Sequence, residues 1–177
     1  NSGGTIRAKT NTISVSKSGT TPDNINITNS GTIYSTNAST NTILLHSNST
    51  NSTVTNNAGG HIYNESTAAT ITIGKTTTLT NSGKIENKKI DKVAITVDGA
   101  DSTVVLKNGG IIIGKIKNNK NRNTLKIQHG VGQGYYYETT GTDFETLQDL
   151  DGNPIVQGSA GSVSYTHLRA HETQTHL

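Results

Sequence analysis

The residue types that can do chemistry are few in this chain, and their spacing decides what chemistry is open to them. Asp98, Gly99 and Asp101, and again Asp149, Asp151 and Asn153, resemble oxygen-rich loops that hold Ca²⁺. Such a site needs about six to eight oxygens, and an EF-hand loop closes on a bidentate Glu at its last position, about twelve residues from its first. Loops of that length begun at Asp98 and Asp149 end on Gly109 and Ala160, so turn formation accounts better for both clusters. Glycoside hydrolysis needs two carboxyl groups facing one bond. Glu65, Glu86, Asp91, Asp98 and Asp101 fall at non-equivalent places in the chain's pattern, as do His46, His61 and His129. No Gly-x-Ser-x-Gly elbow is present. Gly130-Val131-Gly132-Gln133-Gly134 lacks the spacing of a dinucleotide fingerprint. The basic stretch Lys115–Arg122 has few aromatics near it to stack bases, so a nucleic-acid partner is not expected. Tyr135, Tyr136 and Tyr137 carry two readings. They form an exposed contact patch, since Tyr is favoured in recognition surfaces, or they cover the end of the fold. No catalytic, cofactor-binding or metal residue is assigned, and the chain reads as non-enzymatic with no cofactor.

The elements that would position any site follow from a repeated phrase. It reads Asn-Ser-Gly-Gly-Thr-Ile at Asn1–Ile6 and Thr-Asn-Ser-Gly-Thr-Ile at Thr28–Ile33. It returns at Thr55–Ile62, Thr80–Ile85 and Lys107–Ile112. The step is about 23 to 29 residues, the range of stacked or solenoid architectures. Two further short segments recur in a fixed order. One is Asn-Thr-Ile-Ser-Val at Asn11–Val15, with counterparts at Asn41–Leu45, Ala69–Ile73, Val93–Val97 and Asn123–Ile127. The other is Asn24–Thr28, with counterparts at Ser52–Thr55, Thr77–Thr80 and Ser102–Leu106. Apolar residues two apart, as at Ile71 and Ile73, put one face of a strand inward and Thr or Ser outward. Three short strands per layer predict an all-β fold, a right-handed parallel β-helix of about five coils. Asn29, Asn56, Asn81 and Asn108 are expected in register at one corner as a hydrogen-bonded ladder. Gly31, Gly60, Gly83 and Gly110 stand beside them, with glycine supplying positive φ in these turns. A meander of antiparallel hairpins is the alternative, but it favours longer alternating strands and two-residue loops.

Composition agrees with a solenoid. Hydrophobic residues make up 29% and aromatics 4%, too few for an ordinary compact core. Charged residues are only 15%, which argues against a chain held open by self-repulsion. Cys is absent, so no disulfide framework exists. Met is absent too, and the chain opens inside a repeat, which reads as an internal fragment. No run of about 18 apolar residues exists, so insertion of this fragment into a membrane is not expected. Sequons at Asn26, Asn37, Asn48, Asn51 and Asn64 follow from the Asn, Thr and Ser content alone.

The repeats are expected over residues 1–128. An irregular or hairpin extension is expected over 129–162, with a turn at Asp151-Gly152-Asn153-Pro154. Val163–Thr173 resembles the conceptual translation of a transposase adapter used in DNA sequencing, so 163–177 reads as a non-native, disordered tail. His167 and His171, spaced as metal ligands on a helix would be, fall inside it.

The Asn-Ser-Gly-x-Ile layers with Thr-rich strands between them resemble the passenger domain of bacterial autotransporters. The resemblance covers Asn1–Gln128. It implies display on the surface of a Gram-negative cell, or secretion, with a signal and a C-terminal β-barrel elsewhere in the polypeptide. Such passengers are most often adhesins, aggregation factors or toxins. The leading expectation is a structural or adhesive stalk that binds glycans, host surfaces or neighbouring cells without catalysis. The alternative is a carbohydrate-active β-helix enzyme or a phage tail-spike-like protein. An ice-binding solenoid, prompted by Thr70-Ile71-Thr72 and Thr76-Thr77-Thr78, comes third, because the Thr positions drift between layers.

Overall fold

The computed structural model describes residues 3–15, 22–36, 39–128, 136–155 and 162–164. Asn37, His129, Gly130–Gly134, Tyr135, His167, His171 and residues 165–177 lie outside the described residues.

Every described element is a short strand. The chain first lays down β1 (Thr5–Ala8) and β2 (Ile13–Val15). A full coil follows in β3 (Asn26–Asn29), β4 (Thr32–Ser35) and β5 (Ile43–Leu45). The next is β6 (Thr53–Asn56), β7 (His61–Asn64) and β8 (Ile71–Ile73). It is followed by β9 (Thr78–Asn81), β10 (Lys84–Asn87) and β11 (Val93–Val97). Then come β12 (Thr103–Leu106), β13 (Ile111–Ile113) and β14 (Lys115–Asn118). The path ends through β15 (Thr124–Ile127), β16 (Tyr136–Gly141), β17 (Thr146–Asp149) and β18 (Ser162–Ser164).

Each strand pairs with its counterpart one coil away. The first sheet is β1-β4-β7-β10-β13, the second β18-β16-β14-β11-β8-β5-β2, and the third β17-β15-β12-β9-β6-β3. Every strand pairing is parallel except β16 with β18. The fold is therefore a parallel β-helix of about five coils, and a hairpin meander is ruled out.

Period-two alternation sets the interior. In β6, Val54 and Asn56 point inward while Thr53 and Thr55 point out. Like residues stack along the axis: Ile33, Ile62 and Ile85 on the first sheet; Ile43, Ile71, Ile95 and Ile116 on the second; Val54, Leu79, Val104 and Leu125 on the third. Each such buried side chain contributes about 1.5–3 kcal/mol, and β-branched Ile and Val already hold one rotamer.

Corners are closed by polar ladders. Asn29 Nδ2 donates to Asn56 Oδ1 at 2.9 Å, and Asn56 Nδ2 donates to Asn81 Oδ1 at 2.8 Å. Asn108 does not extend this ladder. Leu106 pairs with Asn81 instead, and Asn108 is exposed. The reason is corner length. Asn29-Ser30-Gly31 is a short corner, whereas Asn56–Gly60 and Leu106–Gly110 carry two more residues, so Asn108 occupies the place of Ala58.

Gly31, Gly60, Gly83 and Gly110 do stack. His61 N bonds Gly31 O, Lys84 N bonds Gly60 O and Ile111 N bonds Gly83 O, each at 2.8 Å. In this stack of corners positive φ falls on the residue before the stacked glycine, at Gly3 (φ 88°), Gly59 (φ 79°) and Gly109 (φ 81°). At Gly31 and Gly83 the need is close approach instead, since a Cβ would strike the carbonyl oxygens of Gly4 and Gly60. The corner entering the third sheet uses a column of left-handed non-glycine residues: Asn24, Asn51, Thr76, Asp101 and Arg122, with φ of 47–61°. Asn and Asp tolerate this geometry, whereas β-branched Thr76 is strained in it.

The coil path runs past residue 128, because β16 and β17 pair in parallel with β14 and β15. The expected turn at Asp151–Pro154 is present. Gln148 bridges Pro154 antiparallel, and Ile155 N bonds Leu147 O at 2.9 Å. Val163 and Ser164, expected in a disordered tail, pair with Tyr137 and Tyr136.

Candidate binding surface

The outward rows of the first sheet bring aromatic and charged side chains side by side. One column runs Thr5, Thr32, His61, Lys84 and Ile111. The adjacent column runs Arg7, Tyr34, Tyr63, Glu86 and Ile113. These residues follow the corner glycines at fixed offsets: Gly31-Thr32-Ile33-Tyr34, Gly60-His61-Ile62-Tyr63 and Gly83-Lys84-Ile85-Glu86. That spacing was visible in the sequence, but the repeat phrase ends on the inward Ile and hides the outward residue after it.

Tyr34 and Tyr63 stack with ring centroids 4.6 Å apart at 12°. Arg7 lies 5.8 Å from the Tyr34 centroid, and Lys88 Nζ lies 3.9 Å from that of Tyr63. The His61 ring tilts against Tyr63 at 4.8 Å. These contacts occupy the ring faces, so a sugar has no open aromatic platform to stack on. The stack is a column of cation–π and aromatic contacts that presents edges and charges outward.

Glu86 Oε2 lies 2.8 Å from Lys84 Nζ and 2.9 Å from His61 Nε2. Burial pushes its carboxyl up, but the hydrogen bonds from Lys84 and His61 outweigh that and hold it below the ordinary value. A carboxyl kept ionised suits electrostatic binding and does not suit general-acid catalysis, which needs a raised pKa. Lys88 bonds Glu65 at 3.1 Å. Burial draws the Lys88 ammonium down, yet Glu65 and the Tyr63 ring environment carry it above its usual value. Ile111 and Ile113, 51% and 42% exposed, end the face with an apolar pair.

Tyr137 does not form an exposed patch. It is 5% exposed and joins the core, while Tyr136 lies in β16 and Tyr135 is outside the described residues. Beside Tyr137, a shallow pocket is lined by Asp91, Ile112, Gly114, Lys115 and Glu138, with Lys115 and Glu138 paired at 3.0 Å. Among the described residues, no three His, Cys, Asp or Glu side chains converge as metal ligands. No protein-family profile, curated protein or solved structure matches the chain.

Proposed function

We propose that the chain is part of a surface-displayed adhesive stalk, similar to an autotransporter passenger, that binds glycans, host surfaces or neighbouring cells through contacts alone. The observation that carries this reading is the outer face of the first sheet. Arg7, His61, Lys84 and Glu86 stand there in two rows on a hydrogen-bonded parallel frame, with Lys88 over the Tyr63 ring beside them. Such a face offers ionic and hydrogen-bonding groups at fixed positions, so little side-chain freedom is lost on binding. It is flat and repetitive, which suits an extended partner better than a small substrate in a cavity. Display on a Gram-negative cell, through a β-barrel elsewhere in the polypeptide, goes with this reading.

The test uses the full chain on beads, presented to a glycan array and to mammalian and bacterial cells. The expected result is retention of an acidic glycan or clumping of the beads, weakened by Lys84→Ala and by Arg7→Ala. Beads that remain dispersed and bind nothing would count against adhesion. Cleavage of an arrayed glycan, abolished by Glu86→Gln, would favour the carbohydrate-active reading, for which the His61–Glu86–Lys84 constellation is the one motivating observation.

A further inference from the structure

We propose that the outer face of the third sheet binds ice. In sequence the threonines drift, but in register they do not. Thr53, Thr78, Thr103, Thr124 and Thr146 form one outward column, begun by Asn26. Thr28, Thr55 and Thr80 form the column beside it, continued by Val105, Lys126 and Gln148. Of Thr70-Ile71-Thr72 and Thr76-Thr77-Thr78, only Thr78 belongs to this array. Thr70 and Thr77 are fully buried, with hydroxyls tied to Glu86 O and Lys75 O.

Three physical features single this face out. The first is regularity. All five strand pairings in this sheet run four residues in unbroken register, whereas the second sheet shifts between Val93 and Ile95. Two residues along a parallel strand span about 6.6 Å and adjacent strands lie about 4.8 Å apart. A two-column threonine array therefore has a rectangular repeat on the scale of the oxygen lattice of hexagonal ice.

The second feature is the state of the hydroxyls. Among the described residues, only the Thr53 hydroxyl of this array bonds the protein, donating to Asn26 Oδ1 at 3.0 Å. The hydroxyls of Thr28, Thr55, Thr78, Thr80, Thr103 and Thr124 have no protein partner, so water must satisfy them. The third feature is charge. Between Asn26 and Val105 both columns are uncharged, and Lys126 is the one ion in either row. An ion would orient its own shell of water out of lattice geometry.

Threonine supplies a hydroxyl that can join the lattice and a methyl that fills the gap beside it. Its branched Cβ keeps both in place. Each array residue is also fixed by its backbone ladder and by the buried Val54, Leu79, Val104 and Leu125 between them, so the ordering cost is met before contact. A soluble sugar fits this face poorly. It has no concavity, no aromatic ring and no ion pair to converge on one molecule.

The test is growth of a single ice crystal in a solution of the full chain, after circular dichroism shows a β-sheet spectrum. Expected are a gap between melting and freezing points, and faceted crystals. The double variant Thr55→Lys with Thr80→Lys is expected to lose more than half of that gap. Thr32→Lys, on the outer face of the first sheet, is expected to keep it. If the double variant unfolds, Thr80→Lys alone is read in its place with the same expectation. Ice that grows in folded wild-type protein as it does in buffer overturns the proposal. So does a Thr32→Lys variant that loses as much as the variants on the third sheet.

Discussion

At the residue scale, the corner asparagines do structural work that apolar residues later replace. Asn56 is fully buried and bonded on both sides of its amide, to Asn29 and Asn81, and also to Gly60 O. Asn56→Ala leaves the Asn81 side-chain carbonyl without a partner inside the stack and removes one of the two bonds that the Asn29 amide donates, the other being to Gly31 O. Unsatisfied buried groups of this kind cost about 1–3 kcal/mol each, so a loss of about 3 kcal/mol is expected in urea unfolding of the full chain. A loss no larger than that of the half-buried Asn57→Ala would show that the ladder contributes little. The ladder was legible at three positions and misread at the fourth. The corner lengthens by an Ala58-Gly59 or Asn108-Gly109 insertion, and in the later one Leu106 takes the inward place. Leu106 and Ile127 can close the corner there because they follow the same stacked column and bury apolar area instead.

At the element scale, each strand divides its labour by alternation, and the two sides were unequally legible. Inward Ile, Val and Leu announce themselves by period two. Outward residues vary in type from coil to coil, so Tyr34 and Tyr63, or Lys84 and His61, stand out as neighbours only when counted from the corner glycines, as the pairing does. The same holds for the third sheet. The coil step changes from 27 residues at Asn26 and Thr53 to 21 at Asp101 and Arg122, so aligned threonines look staggered when counted along the chain. The first sheet's ion pairs carry a pH signature. Glu86 has its folded carboxyl below the ordinary value because the bonds from Lys84 and His61 outweigh burial. Its contribution is then fully present above the unfolded carboxyl pKa of about 4.3 and is lost as pH falls through the lower folded value. Asp101, held down by its Arg122 hydrogen bonds, has the same sign, so wild type alone cannot isolate Glu86. The melting temperatures of wild type and Glu86→Gln are expected to differ at neutral pH and to converge in acid. Curves that stay parallel down to the acid limit would exclude a folded-state contribution from this carboxylate.

At the scale of the whole molecule, both proposed surfaces depend on one property: coils stacked in parallel, in the stated register. That property places Tyr34 on Tyr63 and turns scattered threonines into an array. The absence of Cys makes it directly testable, because every thiol can be introduced by choice. Thr53 and Thr78 are register partners on adjacent coils, about 4.8 Å apart and within the Cα separation of about 4.4–6.8 Å that a disulfide spans. Thr53 and Thr103 are two coils apart, about 9.6 Å. Oxidation of the two double-cysteine variants, followed by mass measurement of the monomer with free thiols blocked, is the most direct measurement. The structure predicts rapid intramolecular closure for Thr53→Cys with Thr78→Cys, and open thiols for Thr53→Cys with Thr103→Cys. Closure of the second pair in preference to the first, or of neither in folded protein, would contradict the register and with it both surfaces.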